Sequence, residues 1–188
     1  MDDSSLGMGG DLAAVKIPRS VIHGKRADMT HYSDDAIIGA SQFFATALRA
    51  KHMRGEKTIA TYVLGSGLVT TAGVNLLAAD WTNATGTLKL ANFHDSGTGI
   101  TAAAIGDIAM QTATGVARVA GVQSNPVAGQ YRTVATIAYA AAFAITEFGL
   151  FTAVTATTMW DHKVFAAINV ASGDSIQFTY TLTVTAGG

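Results

Sequence analysis

The sequence predicts a mainly β protein: a β-sandwich or jelly-roll-like domain, with an N-terminal extended arm and one or two helices. Three observations lead there. The final segment, Asp174-Ser-Ile-Gln-Phe-Thr-Tyr-Thr-Leu-Thr-Val-Thr185, alternates without a fault. Ile176, Phe178, Tyr180, Leu182 and Val184 fall on one face and Gln177, Thr179, Thr181, Thr183 and Thr185 on the other, the period of a half-buried strand. Further strand-like runs recur through the second half between turn clusters, as in a sandwich. At 188 residues the chain can bury a true core, and with no cysteine that core is held by packing rather than by disulfides.

The elements follow in chain order. Residues 1–33 read as an arm, loosened by Gly7, Gly9 and Gly10 and carrying a basic cluster of Arg19, His23, Lys25 and Arg26. Its apolar residues Leu12, Val15, Ile17, Val21 and Ile22 are more than a purely disordered tail would hold, so the arm is expected to order against a neighbouring subunit. Residues 34–54 read as a helix. Ser33, Asp34 and Asp35 supply a cap and an acidic first turn; Ile37, Ala40, Phe44, Ala47 and Leu48 keep helical spacing; Gly55 stops it. Phe43 beside Phe44 widens the apolar stripe.

Lys57 to Leu64 reads as a strand broken by Gly65-Ser-Gly67, and residues 68–80 fit either a short helix or a strand. Thr87 to Phe93 is an expected strand, His94 to Gly99 a turn, and Gly106 to Met110 an irregular turn. Strands are then expected at Val116–Gln123, Tyr131–Ala141, Phe143–Phe151 and Met159–Val170, with Gly149 as a bulge or a close approach. Ser172-Gly-Asp174 is expected as the hairpin turn into the last strand. The organisation expected is an arm over 1–33, a helical and strand linking segment over 34–86, and the sandwich over 87–188.

Composition narrows the function classes. Charged residues make up 13% of the chain and hydrophobic residues 49%, with a formal net charge of −1. So little charge is hazardous for a free monomer, and a surface covered by partners resolves it. No apolar run is long enough for a spanning helix, and Met1-Asp-Asp-Ser-Ser is too acidic and polar for a signal peptide, so no membrane partner is expected. The balanced charge gives no basic field for nucleic acid.

The residues give chemistry little support. His94, Asp95 and Ser96 are adjacent, whereas a triad needs an imidazole bridging serine and carboxylate in space, and no nucleophile elbow is present. Gly97-Thr-Gly99-Ile-Thr-Ala102 matches a loose dinucleotide pattern without the βα context that gives it meaning. His23, His31, His52, His94 and His162 are scattered, and Asp161-His162 reads as a satisfied surface pair. No catalytic residue, cofactor or metal is therefore expected. Glu147 lies between apolar residues and needs a partner: a structural ion pair, with Arg118 or Arg132 as candidates, or a subunit salt bridge. Trp81, Trp160, Tyr131 and Tyr139 are candidate interface anchors or core residues. The expected interface set is Leu12, Val15, Ile17, Val21, Ile22, Phe43, Trp81, Glu147 and Trp160.

Five segments follow in order: Asn92-Phe-His-Asp-Ser-Gly-Thr-Gly99, Thr133-Val-Ala-Thr-Ile-Ala-Tyr139, Ile145-Thr-Glu-Phe-Gly-Leu-Phe151, Thr158-Met-Trp-Asp-His-Lys-Val-Phe165 and Gly173-Asp-Ser-Ile-Gln-Phe-Thr-Tyr-Thr-Leu-Thr-Val184. Over roughly residues 90–185 this series resembles a class of tailed-bacteriophage structural proteins. The resemblance implies a non-enzymatic virion part assembled in the host cytoplasm. A capsid decoration or cement protein is the first expectation, partnered with itself and with other virion proteins, the major capsid protein foremost. A tail, neck, baseplate or fibre adaptor is the alternative. A carbohydrate-binding sandwich, which needs Trp81 or Trp160 exposed, is the third.

Overall fold

A computed structural model describes residues 44–82, 91–155 and 158–184. They form two antiparallel five-stranded sheets and one helix. Sheet A has the order β2 (Lys57–Gly65), β1 (Phe44–Arg54), β10 (Asp174–Val184), β7 (Gln130–Ala138), β6 (Val122–Ser124). Sheet B has the order β3 (Leu68–Val69), β9 (Met159–Val170), β8 (Phe143–Phe151), β4 (Phe93–Gly97), β5 (Val119–Ala120). The expected mainly β architecture is the one observed. The expected arm, with Leu12, Val15, Ile17, Val21, Ile22 and Phe43, lies outside the described residues.

The core is the seam between the sheets. Sheet A contributes Leu48, Ala50, Ile137, Ile176, Phe178, Tyr180 and Leu182, and sheet B contributes Ile145, Phe148, Leu150, Trp160, Ile168 and Val170. Phe148 of sheet B packs on Phe178 and Tyr180 of sheet A, with ring centroids 5.1 and 6.4 Å away. The alternation read in the last strand sets this up, because Ile176, Phe178 and Tyr180 are each fully buried. Burying aromatic rings of this size gains on the order of 2 to 3 kcal/mol each.

The expected helix over 34–54 is corrected where it is described. Residues 44–54 are β1, paired along their whole length with β10. Ala, Leu, Arg and Lys favour a helix locally, but tertiary pairing overrides so weak a preference. The inward positions Thr46, Ala50 and His52 are small or polar, so their period of two is faint in the sequence. Each is matched by bulk on β10: Ala50 lies opposite Phe178 and His52 opposite Ile176.

The ambiguous segment at 68–80 resolves into β3 and helix α1 (Thr71–Thr82). Thr70 caps α1: its Oγ1 accepts from Gly73 N at 3.0 Å while donating to the Met159 carbonyl. Gly73 is required by packing, since a Cβ there would lie 2.7 Å from the Trp160 carbonyl oxygen.

The chain changes sheets four times, from β2 to β3, β5 to β6, β7 to β8 and β9 to β10, so Ser172-Gly-Asp174 crosses between sheets and does not turn a hairpin. At two of these corners packing requires a glycine. Between β2 and β3 it is Gly67, where a Cβ would fall onto the Asp161 carboxylate. Between β5 and β6 it is Gly121, where a Cβ would strike Thr133 Oγ1 and crowd His94. The single strand expected at 116–123 is thus two short strands in different sheets.

Candidate functional site

Between β4 and β5 the chain runs without regular structure from Thr98 to Arg118 and covers the outer face of sheet B. Loops of this length without structure of their own are uncommon in compact domains and usually functional. Three polar anchors hold this one.

The first is Glu147, fully buried on β8. Its Oε1 accepts from His162 Nε2 at 2.9 Å and from Gln111 N at 2.6 Å. Its Oε2 accepts from Gly99 N and Thr112 N, both at 3.2 Å. An ionised carboxylate has about four acceptor positions, and all are used. Gly97 and Gly99 are glycine because this carboxylate occupies the space a Cβ would take; at Gly99 it would lie 2.6 Å from Oε2. The Gly-Thr-Gly that resembled a phosphate cradle holds an internal carboxylate instead.

The second anchor is His162, fully buried on β9, whose Nδ1 lies 2.6 Å from Asp107 Oδ2. Asp107 also accepts from Ala104 N at 2.7 Å. Burial pushes the Asp107 carboxyl up, but the Ala104 N–H and His162 outweigh it and hold it below its ordinary value. The imidazole stands between the two carboxylates rather than facing a common point with them. Among the described residues no three such side chains are arranged to hold a metal ion.

The third is Arg118, whose Nε donates to Asp95 Oδ2 at 2.9 Å while its guanidinium lies 3.4 Å from the Phe151 ring centre. With its donors shared between a carboxylate, an aromatic face and the Ala153 carbonyl, Arg118 ties the end of the loop to sheet B.

Several expectations are corrected here. His94 to Gly97 belong to strand β4 rather than a turn, and His94, Asp95 and Ser96 are buried. They point to different partners: His94 Nε2 to Thr133 Oγ1 at 3.1 Å, Asp95 to Arg118, and Ser96 Oγ to the Tyr139 hydroxyl at 3.1 Å. Glu147 pairs with His162, not with Arg118 or Arg132. Asp161 and His162 are buried, not a surface pair. Trp160, 2% exposed, donates from Nε1 to the Tyr180 hydroxyl at 2.9 Å, so Trp160 and Glu147 face the interior rather than a partner. Tyr139 is core, and Tyr131 is half-buried with its hydroxyl on the Ala91 carbonyl. Trp81 lies in α1, its side chain outside the described residues. Gly149 is a close approach, as a Cβ there would lie 2.6 Å from Met110 Sδ.

Burial shifts the titration of two of these groups, Asp161 and His94. Burial pushes the Asp161 carboxyl up to about 7, against the Tyr180 hydroxyl, which donates to Oδ2 at 3.2 Å, and against Lys163, Thr46 and the Leu68 N–H. Its Oδ1 has no hydrogen bond of normal geometry. Burial likewise lowers His94 to about 3, with Nδ1 unpaired.

What the anchored loop presents outward is apolar. Ile100 is 81% exposed, Ile108 71% and Ile105 52%. A buried network with every Glu147 position filled offers no free nucleophile or base. It anchors the loop that carries these isoleucines. No family model, curated protein or solved structure matches this chain.

Proposed function

We propose that this chain is a non-enzymatic structural protein of a tailed-bacteriophage virion, a capsid decoration or cement protein that bridges and stabilises major capsid subunits. The observation that carries the reading is the 98–118 loop. Its two charged side chains, Asp107 and Arg118, are consumed in anchoring, and its isoleucines stand in water. Exposed apolar groups on a rigid support lose little conformational entropy when a partner covers them. The low charge content and the ordered series of virion-like segments support the same reading. The carbohydrate-binding alternative loses one of its two platforms, since Trp160 is buried.

Quantitative mass spectrometry of virions produced with this chain tests the proposal. Hundreds of copies, against the major capsid protein as internal standard, are expected for a shell component. About three to a few dozen copies would move the chain to the neck, tail or baseplate. Its absence from the virion would end the reading. Replacing Ile100, Ile105 and Ile108 by Asp should leave the sandwich folded and remove the protein from particles; incorporation at the unmodified level would show that the loop is not the contact.

A further inference from the structure

The two sides of the sandwich are finished differently. On one side the edge strands β5 and β6 run only two and three residues, and short edges are a common protection against unwanted pairing. On the other side the edge strand of sheet A, β2, is long, while that of sheet B, β3, covers only two residues of β9. Among the described residues β2 pairs only with β1 over its nine residues, and β9 has a partner on β3 only at Asp161 and His162. From Lys163 to Val170 the outer edge of β9 has no strand partner among the described residues.

Each edge carries a single charge at one end, Lys57 on β2 and Lys163 on β9. Thr58 to Gly65 and Val164 to Val170 contain no charge and no proline. The edges border a common slot of about 550 Å³, lined by Thr61, Tyr62, Leu64, Val164, Phe165 and Ala167. Tyr62, Leu64 and Phe165 pack from the core side, and Val63 beside them is 75% exposed.

We infer that this open side is a self-association edge, at which β2 and β9 pair antiparallel with the same strands of a second copy about a two-fold axis. Such an interface is isologous, and antiparallel pairing keeps apart the strand ends that carry Lys57 and Lys163. A net charge of −1 raises no repulsion between copies. The size is adequate. A nine-residue edge is roughly 30 Å long, and two sheets with their side chains are roughly 20 Å deep. That gives about 600 Å² per partner, or about 1,200 Å² in all, the lower bound of a stable interface. The inference deepens the self-association part of the function proposed above without needing a virion: a chain that dimerises this way yet is missing from particles would refute the virion reading and leave this one intact.

The test uses the full chain. Sedimentation analysis should give an even-numbered oligomer, and hydrogen exchange at residues 58–64 and 164–169 should be slow when concentrated and fast on dilution. Val63→Lys and Ala166→Lys change exposed positions, so folding is retained, and each places like charges across the two-fold axis. Dimer affinity should weaken at least about 100-fold. A monomer with fast exchange at both edges would overturn the inference by showing them unpartnered. A monomer with slow exchange would overturn it by showing them covered within one chain. An oligomer indifferent to both lysines would overturn it by placing the contact elsewhere.

Discussion

Two buried groups should oppose each other in the pH dependence of stability, and substitution can separate them. Asp161 goes from 3.8 to about 7 on folding, because burial disfavours its charge. Between those values the folded state binds the extra proton, so stability falls as pH rises, by about 1.4 kcal/mol per pH unit. His94 goes from 6.5 to about 3, again through burial. Over that range the unfolded state binds the extra proton, so stability rises with pH at the same slope. The windows overlap between about pH 4 and pH 6.5, where the two contributions nearly cancel. Asp161→Asn removes one of them. Relative to the unmodified protein, it should lose on the order of 3 kcal/mol between pH 6.5 and pH 4. His94→Gln should gain a similar amount over the same interval. Urea titrations at half-unit pH steps read both slopes, and the difference from the unmodified protein cancels every other titrating group. Each substitution adds a constant offset, so the slope alone carries the test. Parallel curves for all three proteins would refute the assignment of uncompensated burial to these groups.

Two further predictions concern the network and the corners. Glu147→Gln turns an amide N–H₂ toward backbone donors at Gly99 or Gln111 and takes the charge from His162; it should cost about 3 to 5 kcal/mol in urea unfolding. A loss below about 1 kcal/mol would show that the anchor is not the carboxylate. Gly67→Ala puts a methyl group onto the Asp161 carboxylate and should cost about 3 kcal/mol or more. Gly106→Ala, with nothing within 4 Å of the new Cβ, should stay within about 0.5 kcal/mol. Equal thermal shifts for the two would contradict the corner argument.

The sequence made legible what depends on neighbours in the chain. Strong alternation between residues 174 and 184, and apolar runs bounded by turns at 143–151 and 159–170, mark strands whose observed limits agree to within a residue. What it concealed depends on partners far away. β1 resembles a helix because its small inward residues make sense only opposite the large ones of β10. His94-Asp-Ser96 resembles a turn because three consecutive polar residues seldom lie buried, and here each is matched by a group at Thr133, Arg118 or Tyr139. Glu147 stood out as a carboxylate among apolar neighbours, but its partner His162 could not be told from the other scattered histidines. Charge shows the same limit. The net charge of −1 looks balanced, yet Asp95, Glu147, Asp161 and Asp174 are buried, and Glu56 alone among the described carboxylates is exposed. Arg49 and Lys51 of β1 and Arg132 of β7 share the outer face of sheet A with the threonines of β10 and no described carboxylate. Charge that balances over the whole sequence thus does not balance on this face. Among the described residues most carboxylates are drawn inward, where they anchor the loop and the strand ends, while Arg49, Lys51 and Arg132 stay on the outer face of sheet A.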